Sequence, residues 1–281
     1  MSSASKPVGF LIREWRKRRR LSQLDLALDA EISTRHLSYV ETGRAVPSRQ
    51  MILHLAEQLE VPLRERNTLL LAAGYAPAFR ERPLDDSELA AARHAVDLVL
   101  AAHSPCPALA IDRHWTLIAS NCAVPPLLAG VAPTLLSPPV NVLRLSLHPD
   151  GLSSRIVNLA QWRSHLMTRL RRQVDLTNDP QLADLLRELR DYPAPDGAEL
   201  EISSQKLVYG GIAIPLQLIT DAGTLAFIST TTVFGTPVDI TLSELAVETF
   251  FPADALTEAA LRRAPASSGQ LNGRIKNIAP S

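Results

Sequence analysis

Thr34, Arg35, His36, Ser38 and Tyr39 sit in one short run, and all five side chains carry hydrogen-bonding groups suited to reading base-pair edges. An arginine such as Arg35 can bond a guanine edge through two nitrogens, while Ser and Thr bond in either direction. Upstream, Arg16, Lys17, Arg18, Arg19 and Arg20 are consecutive and basic, which is the pattern expected of phosphate contacts. Gln23 and Arg44 flank the polar run and join Lys17, Arg18 and Arg19 as phosphate candidates, Gln23 with its own amide at the start of a helix. A plainer account keeps the basic run as a complement to a helix dipole. Glu41 is the odd member, because an acid beside a DNA face needs a basic partner, and Arg16 is the nearest candidate in the first helix.

The elements that must position these groups are short helices. Residues 8–19 form the first, with Leu11, Ile12 and Trp15 as its buried stripe. Ser22 caps a helix over residues 23–29, on which Leu24, Ala27 and Leu28 share the inward face. Ser33 caps the next, with Leu37 and Val40 inward and Thr34, Arg35, Ser38 and Thr42 outward. Gly43 stops that helix, and Ser48 caps a fourth to about residue 59. A fifth runs from Pro62 to Gly74. Two capped helices joined by a tight turn, the second polar on its outer face, define a helix-turn-helix reader; a plain helical hairpin is the alternative.

The charge balance agrees with a DNA-binding head on a different kind of body. The chain carries 29 Lys and Arg against 29 Asp and Glu, yet residues 1–82 hold 14 against 9. Hydrophobic content of 46% supports packed cores, and 5% aromatics leaves few platforms for stacking single-stranded bases. Cys106 and Cys122 show no metal-ligand or disulfide spacing, so no metal and no cofactor is expected, and Cys122 reads as a buried thiol. No segment reads as a signal peptide or a membrane span, which points to the cytoplasm.

Residues 76–107 read as a linker with a connecting helix, whose apolar seam from Leu89 to Leu100 can face either the next domain or a twin helix in a dimer. Residues 108–263 open with two short strands over 108–112 and 115–119. Helices over 158–174 and 180–190 follow, then strands over 200–203, 207–209, 212–220 and 224–232, and a last helix over 242–250. That order predicts an antiparallel sheet under a helical cover. Trp115, Trp162, Tyr209, Phe227 and Phe234 offer bulky walls and Asn121, His165, Thr230 and Thr232 polar points for a small, mainly apolar ligand, although an ordinary core has the same composition. His148, Asp150 and Ser153 look like parts of a triad but fall in a turn without a nucleophile elbow. Residues 264–281 read as a flexible tail.

Residues 8–74 resemble the Xre/Cro type of phage-repressor helix-turn-helix, through LSQLDLALDAEISTRHLSYVETGRAVPS and the basic run before it. The resemblance implies that Gln23 clamps phosphate, that Thr34, Arg35, Ser38 and Tyr39 face bases, and that Arg16 and Glu41 form a buried ion pair. One departure is Glu31, where the family's turn usually carries Gly; a Cβ there strains the turn or shifts its shape. Arg20 likewise stands where a flexible turn residue often appears. Residues 108–253 are similar to the ligand-binding domain of MmyB-like transcription regulators, through PALAIDRHWTLIASN, SLHPDGLSSRIVNLAQWRSHLMTRLRR and FISTTTVFGTPVDITLSELAVETFFP. That resemblance implies a PAS-like sensor of small molecules, fatty-acyl compounds among them.

The expectation is therefore an all-α five-helix domain over residues 7–75 followed by an α+β PAS-like domain. The pair would act as a homodimeric regulator, a repressor more readily than an activator, on a palindromic double-stranded operator. A second domain that only dimerises or binds a protein, and an enzyme with a helical appendage, are the competing readings.

Overall fold

The computed structural model describes residues 6–177, 179–193, 214–235 and 239–263. Five helices come first: α1 (Val8–Arg18), α2 (Gln23–Asp29), α3 (Thr34–Glu41), α4 (Arg49–Gln58) and α5 (Leu63–Ala72). Next are α6 (Ala90–Ala102), β1 (Ala108–Ile111), β2 (Leu117–Ser120), α7 (Pro133–Leu136) and α8 (Val142–Leu147). The long helices α9 (Leu159–Thr177) and α10 (Pro180–Asp191) precede β3 (Leu216–Thr220) and β4 (Gly223–Val233). The helical turn α11 (Ile240–Ser243), β5 (Ala246–Pro252) and α12 (Ala255–Arg263) complete the described chain.

The described residues divide into two compact units, the first built from residues 6–83 together with 175–177 and 239–243, the second from the other described residues. In the first, Ile12, Leu26, Leu37, Ile52, Leu55 and Leu70 are fully buried at the centre of five helices. Three serines start three of those helices. Ser22 Oγ accepts the Asp25 amide at 3.1 Å while Asp25 Oδ2 accepts the Ser22 amide at 2.7 Å, a reciprocal cap. Ser33 accepts from the His36 amide and Ser48 from the Met51 amide. The inward face of α2 differs from the expected one. Leu26, Ala27 and Ala30 are buried, whereas Leu24 and Leu28 are 57% and 67% exposed, because the seven-residue helix is rotated to seat Leu26 in the core.

In this unit three turns carry left-handed residues other than glycine among the described residues, Arg20 at φ 58°, Glu31 at φ 51° and Glu60 at φ 48°. Glu31 is the turn between α2 and α3, and it keeps the left-handed geometry despite its Cβ. Gly9 makes the close approach of α1 to α3 possible, since a Cβ there would lie 2.1 Å from the Val40 carbonyl oxygen. Residues 239–243 complete this unit. The Ile240 amide donates to the Arg80 carbonyl at 2.9 Å, Thr241 Oγ1 donates to the Arg82 carbonyl at 2.6 Å, and Arg82 pairs with buried Asp239 at 3.2 Å.

The second unit is an antiparallel five-stranded sheet in the order β2-β1-β5-β4-β3. The central strand β5 is a correction, because a helix was expected over 242–250. Those residues satisfy both periods, but Val247 and Thr249 alternate with Glu248 and Phe250, and pairing with β1 on one side and β4 on the other fixes the strand. Strand β2 also begins later than expected, since Trp115 is a turn residue at φ 66°. Helix α12 was not foreseen. The strands expected over 200–203 and 207–209, with Tyr209, and the tail over 264–281 lie outside the described residues.

Helices α8, α9 and α10 bury their leucines against one face of the sheet. On the other face Val96 and Leu100 of α6 pack with Ala108, Ala110, Leu245 and Val247. The seam of α6 is thus covered by its own sheet, which removes it as a reason to expect a twin helix.

Candidate DNA-reading helix and ligand cavity

Helix α3 is where the polar run lies. Leu37, Val40 and Glu41 are buried; Thr34, Arg35 and His36 are exposed, and Ser38 and Tyr39 half-buried. Arg35 Nε donates to Tyr39 Oη at 3.0 Å, and the guanidiniums of Arg35 and Arg44 lie over the Tyr39 ring, 5.4 and 5.9 Å from its centroid. A solvent-facing edge of α3 therefore combines hydroxyls, an imidazole and an aligned guanidinium.

Glu41, at the inner end of α3, is held by Arg16 through Nε at 2.6 Å and Nη2 at 2.8 Å. Arg16 Nη1 also donates to the Leu21 carbonyl at 2.9 Å, and Gln23 Nε2 donates to Glu41 Oε2 at 2.7 Å. The hydrogen bond to Glu41 raises the Arg16 pKa above its ordinary value, so the guanidinium stays charged. The acid beside the reading face is thus neutralised internally. Of the phosphate candidates, Lys17 and Arg44 are exposed and Arg18 is half-exposed over the Trp15 ring. Arg19 is differently placed. It donates to the Leu59 and Glu60 carbonyls at 2.8 Å each, closing the end of α4.

In the second unit a cavity of about 100 Å³ lies between the sheet and its helical cover, lined mainly by leucines with Trp115, Trp162 and Phe250. An Asp112 side chain that accepts the His114 and Thr116 amides shapes the turn carrying Trp115. Trp115 Nε1 donates to Gln173 at 2.8 Å and Trp162 Nε1 to Ser146 Oγ at 2.9 Å, so both indoles are anchored at the wall. The polar lining is Ser146, Arg169, Ser229 and Glu248.

Several expected lining residues are elsewhere. Asn121 is buried and structural, accepting the Ala108 amide and donating to the Leu100 and Cys106 carbonyls. Thr230 and Thr232 pair with Thr249 and Val247, on the face opposite Glu248; Ser229 and Thr231 take the cavity side. Phe227 is fully buried beside Phe250, Phe234 packs with the α6 cluster, and His165 stacks on Trp162 behind the wall. Burial and the Arg169 charge lower the His165 pKa. Arg169 and Glu248 went unnoticed in the sequence. The available signal was an acid inside an apolar strand.

A second hollow, about 290 Å³, lies beside α6 and is rimmed by Asp85, Arg93 and Asp97. Ser153 Oγ donates to the His148 backbone carbonyl at 2.8 Å rather than to the ring, so these residues form a turn and not a nucleophile–base pair. Cys122 is exposed, contrary to expectation, and burial raises the Cys106 pKa. Among the described residues no group of His, Cys, Asp and Glu is placed to hold a metal, and no helix is long and apolar enough to cross a membrane.

A capped helix pair with a polar outer helix, joined to an α+β unit with an apolar cavity, defines a helix-turn-helix regulator with a ligand-binding domain. Residues 8–69 match a helix-turn-helix domain, and residues 92–264 match the MmyB-like transcription regulator ligand binding domain. The chain belongs to that MmyB-like family, and both matched families are regulatory rather than catalytic. No curated protein matches it.

Proposed function

We propose that this protein is a homodimeric transcriptional repressor, acting in the cytoplasm, whose grip on a palindromic operator changes when a small apolar ligand occupies the second unit. The observation that carries the reading is the exposed outer face of α3, locked from behind by Arg16 and Glu41. Thr34, Arg35, His36, Ser38 and Tyr39 meet base edges, while Lys17, Arg18, Arg44 and Gln23 meet phosphates. Two heads related by a two-fold axis would read half-sites about 34–36 Å apart, and a bound dimer blocks a promoter sterically.

The apolar walls of the cavity suit an acyl chain or another compact hydrophobic body. Chain continuity supplies a route for coupling, because the segment containing α11, built into the first unit, joins the cavity strands β4 and β5. The test is to select duplexes from a random pool. Operator affinity is then compared with and without the molecule that native mass spectrometry finds retained on protein purified from its host. A several-fold change in affinity supports the reading; a dimer with unchanged affinity would reduce the second unit to a dimerisation module.

A further inference from the structure

We propose that the cavity selects a compact apolar ligand with a neutral hydrogen-bond donor at its polar end, a hydroxyl or an amide N–H, received by Glu248, and discriminates against free carboxylates. The inference rests on the reading of this cavity as the ligand site and adds the chemistry of the ligand's head.

Glu248 is an acid in the central strand of the sheet, 4% exposed, and it lines the cavity. Its contacts are lopsided. Arg169 Nη2 and Thr231 Oγ1 both donate to Oε1, the latter at 2.9 Å. Among the described residues nothing donates to Oε2. No fully buried side-chain oxygen among the described residues lacks a partner, so Oε2 keeps accessible surface, and a ligand hydroxyl or amide N–H in the cavity can donate to it.

The cation at this end is already engaged. Arg169 Nη2 also donates to Thr231 Oγ1 at 2.7 Å, and the guanidinium lies over the Trp115 ring at 4.5 Å from its centroid. Glu248 balances the Arg169 charge. A ligand carboxylate entering beside them would therefore bring a second negative charge against one positive charge in a poorly solvated site. A neutral donor adds no charge. The volume limits the body of the ligand as well. An apolar cavity of about 150 Å³ accepts benzene, and at about 100 Å³ this one limits the ligand to a slender body such as a short alkyl chain.

Isothermal titration calorimetry of the full chain with hexanol and with hexanoate, at neutral pH and matched salt, tests the proposal. The expected result is hexanol binding at least tenfold more tightly than hexanoate. Glu248→Gln removes the negative charge and leaves Arg169 uncompensated, so hexanoate should tighten and the preference should shrink or reverse. Hexanoate binding the unmodified protein as tightly as hexanol would overturn the head-group assignment while leaving the cavity as a ligand site. A hexanol preference unchanged in Glu248→Gln would also overturn it, and should that variant fail to fold, the ratio in the unmodified protein decides alone. Neither compound binding, by heat or by a shift in thermal unfolding, would overturn the cavity reading itself.

Discussion

Gln23 Nε2 donates to Glu41 Oε2 at 2.7 Å, the same oxygen that receives Arg16 Nη2 at 2.8 Å. One carboxylate thus ties the end of α1, the start of α2 and the end of α3 into a single joint. The angle at which α3 presents its outer face depends on that joint.

Glu41→Ala should destabilise the first unit by about 3–5 kcal/mol, because it strands the buried Arg16 guanidinium. Urea unfolding measures this. Replacing both partners, Arg16→Met with Glu41→Leu, should recover most of the loss. A cost for Glu41→Ala within the range of exposed pairs, about 0–1 kcal/mol, would show that the joint is not structural.

Arg19 and Lys17 should separate in opposite experiments. Arg19→Ala removes two charged hydrogen bonds to the end of α4 and should cost about 1–3 kcal/mol of stability, leaving the salt dependence of DNA binding unchanged. Lys17→Ala should leave stability intact and lower the salt slope by about one. Binding titrations across a salt series, beside unfolding curves, read both.

Glu31→Gly should stabilise the protein by about 0.5–1 kcal/mol, since the turn holds a side-chain-bearing residue at φ 51°. A rise in the thermal unfolding midpoint is the expected observation, and a fall would mean that the Glu31 side chain contributes more than its backbone costs.

Much of the first unit is legible because its signals are local. Ser22, Ser33 and Ser48 each act within three residues of themselves, and the run from Arg16 to Arg20 needs no tertiary information. The rotation of α2 was not legible, since Leu24, Leu26 and Leu28 offer competing stripes and only packing selects Leu26. In the second unit residues 242–250 fit helix and strand alike, and the ladders to β1 and β4 decide. Thr230 and Thr232 illustrate how a one-residue offset moves a strand's side chains to the other face. The polar end of the cavity was hidden for another reason. Arg169 and Glu248 lie 79 positions apart and meet only through the fold.

Acid should weaken the second unit through Glu188. The paired hydrogen bonds from Arg144, at 2.8 and 2.7 Å, hold the Glu188 carboxyl below its ordinary pKa. A depressed carboxylate pKa contributes stability above the unfolded value, about 4.3, and that contribution disappears as pH falls through the folded value. The two side chains are 43% and 36% exposed, so the effect is modest. Arg144→Met should lose stability near neutral pH and show a shallower further loss on acidification than the unmodified protein. Equal acid sensitivity in the two would remove Glu188 as a contributor.

The most direct measurement is the affinity of the intact protein for a selected duplex relative to a scrambled one, with Thr34, Arg35 and Ser38 all changed to alanine. The side chains are exposed or half-buried on α3, so the variant should keep its helical circular dichroism and unfolding midpoint. Its preference for the selected duplex should fall by at least the share of a single base-reading arginine, about 1–3 kcal/mol. An undiminished preference in the folded variant would contradict the assignment of α3 as the helix that reads DNA.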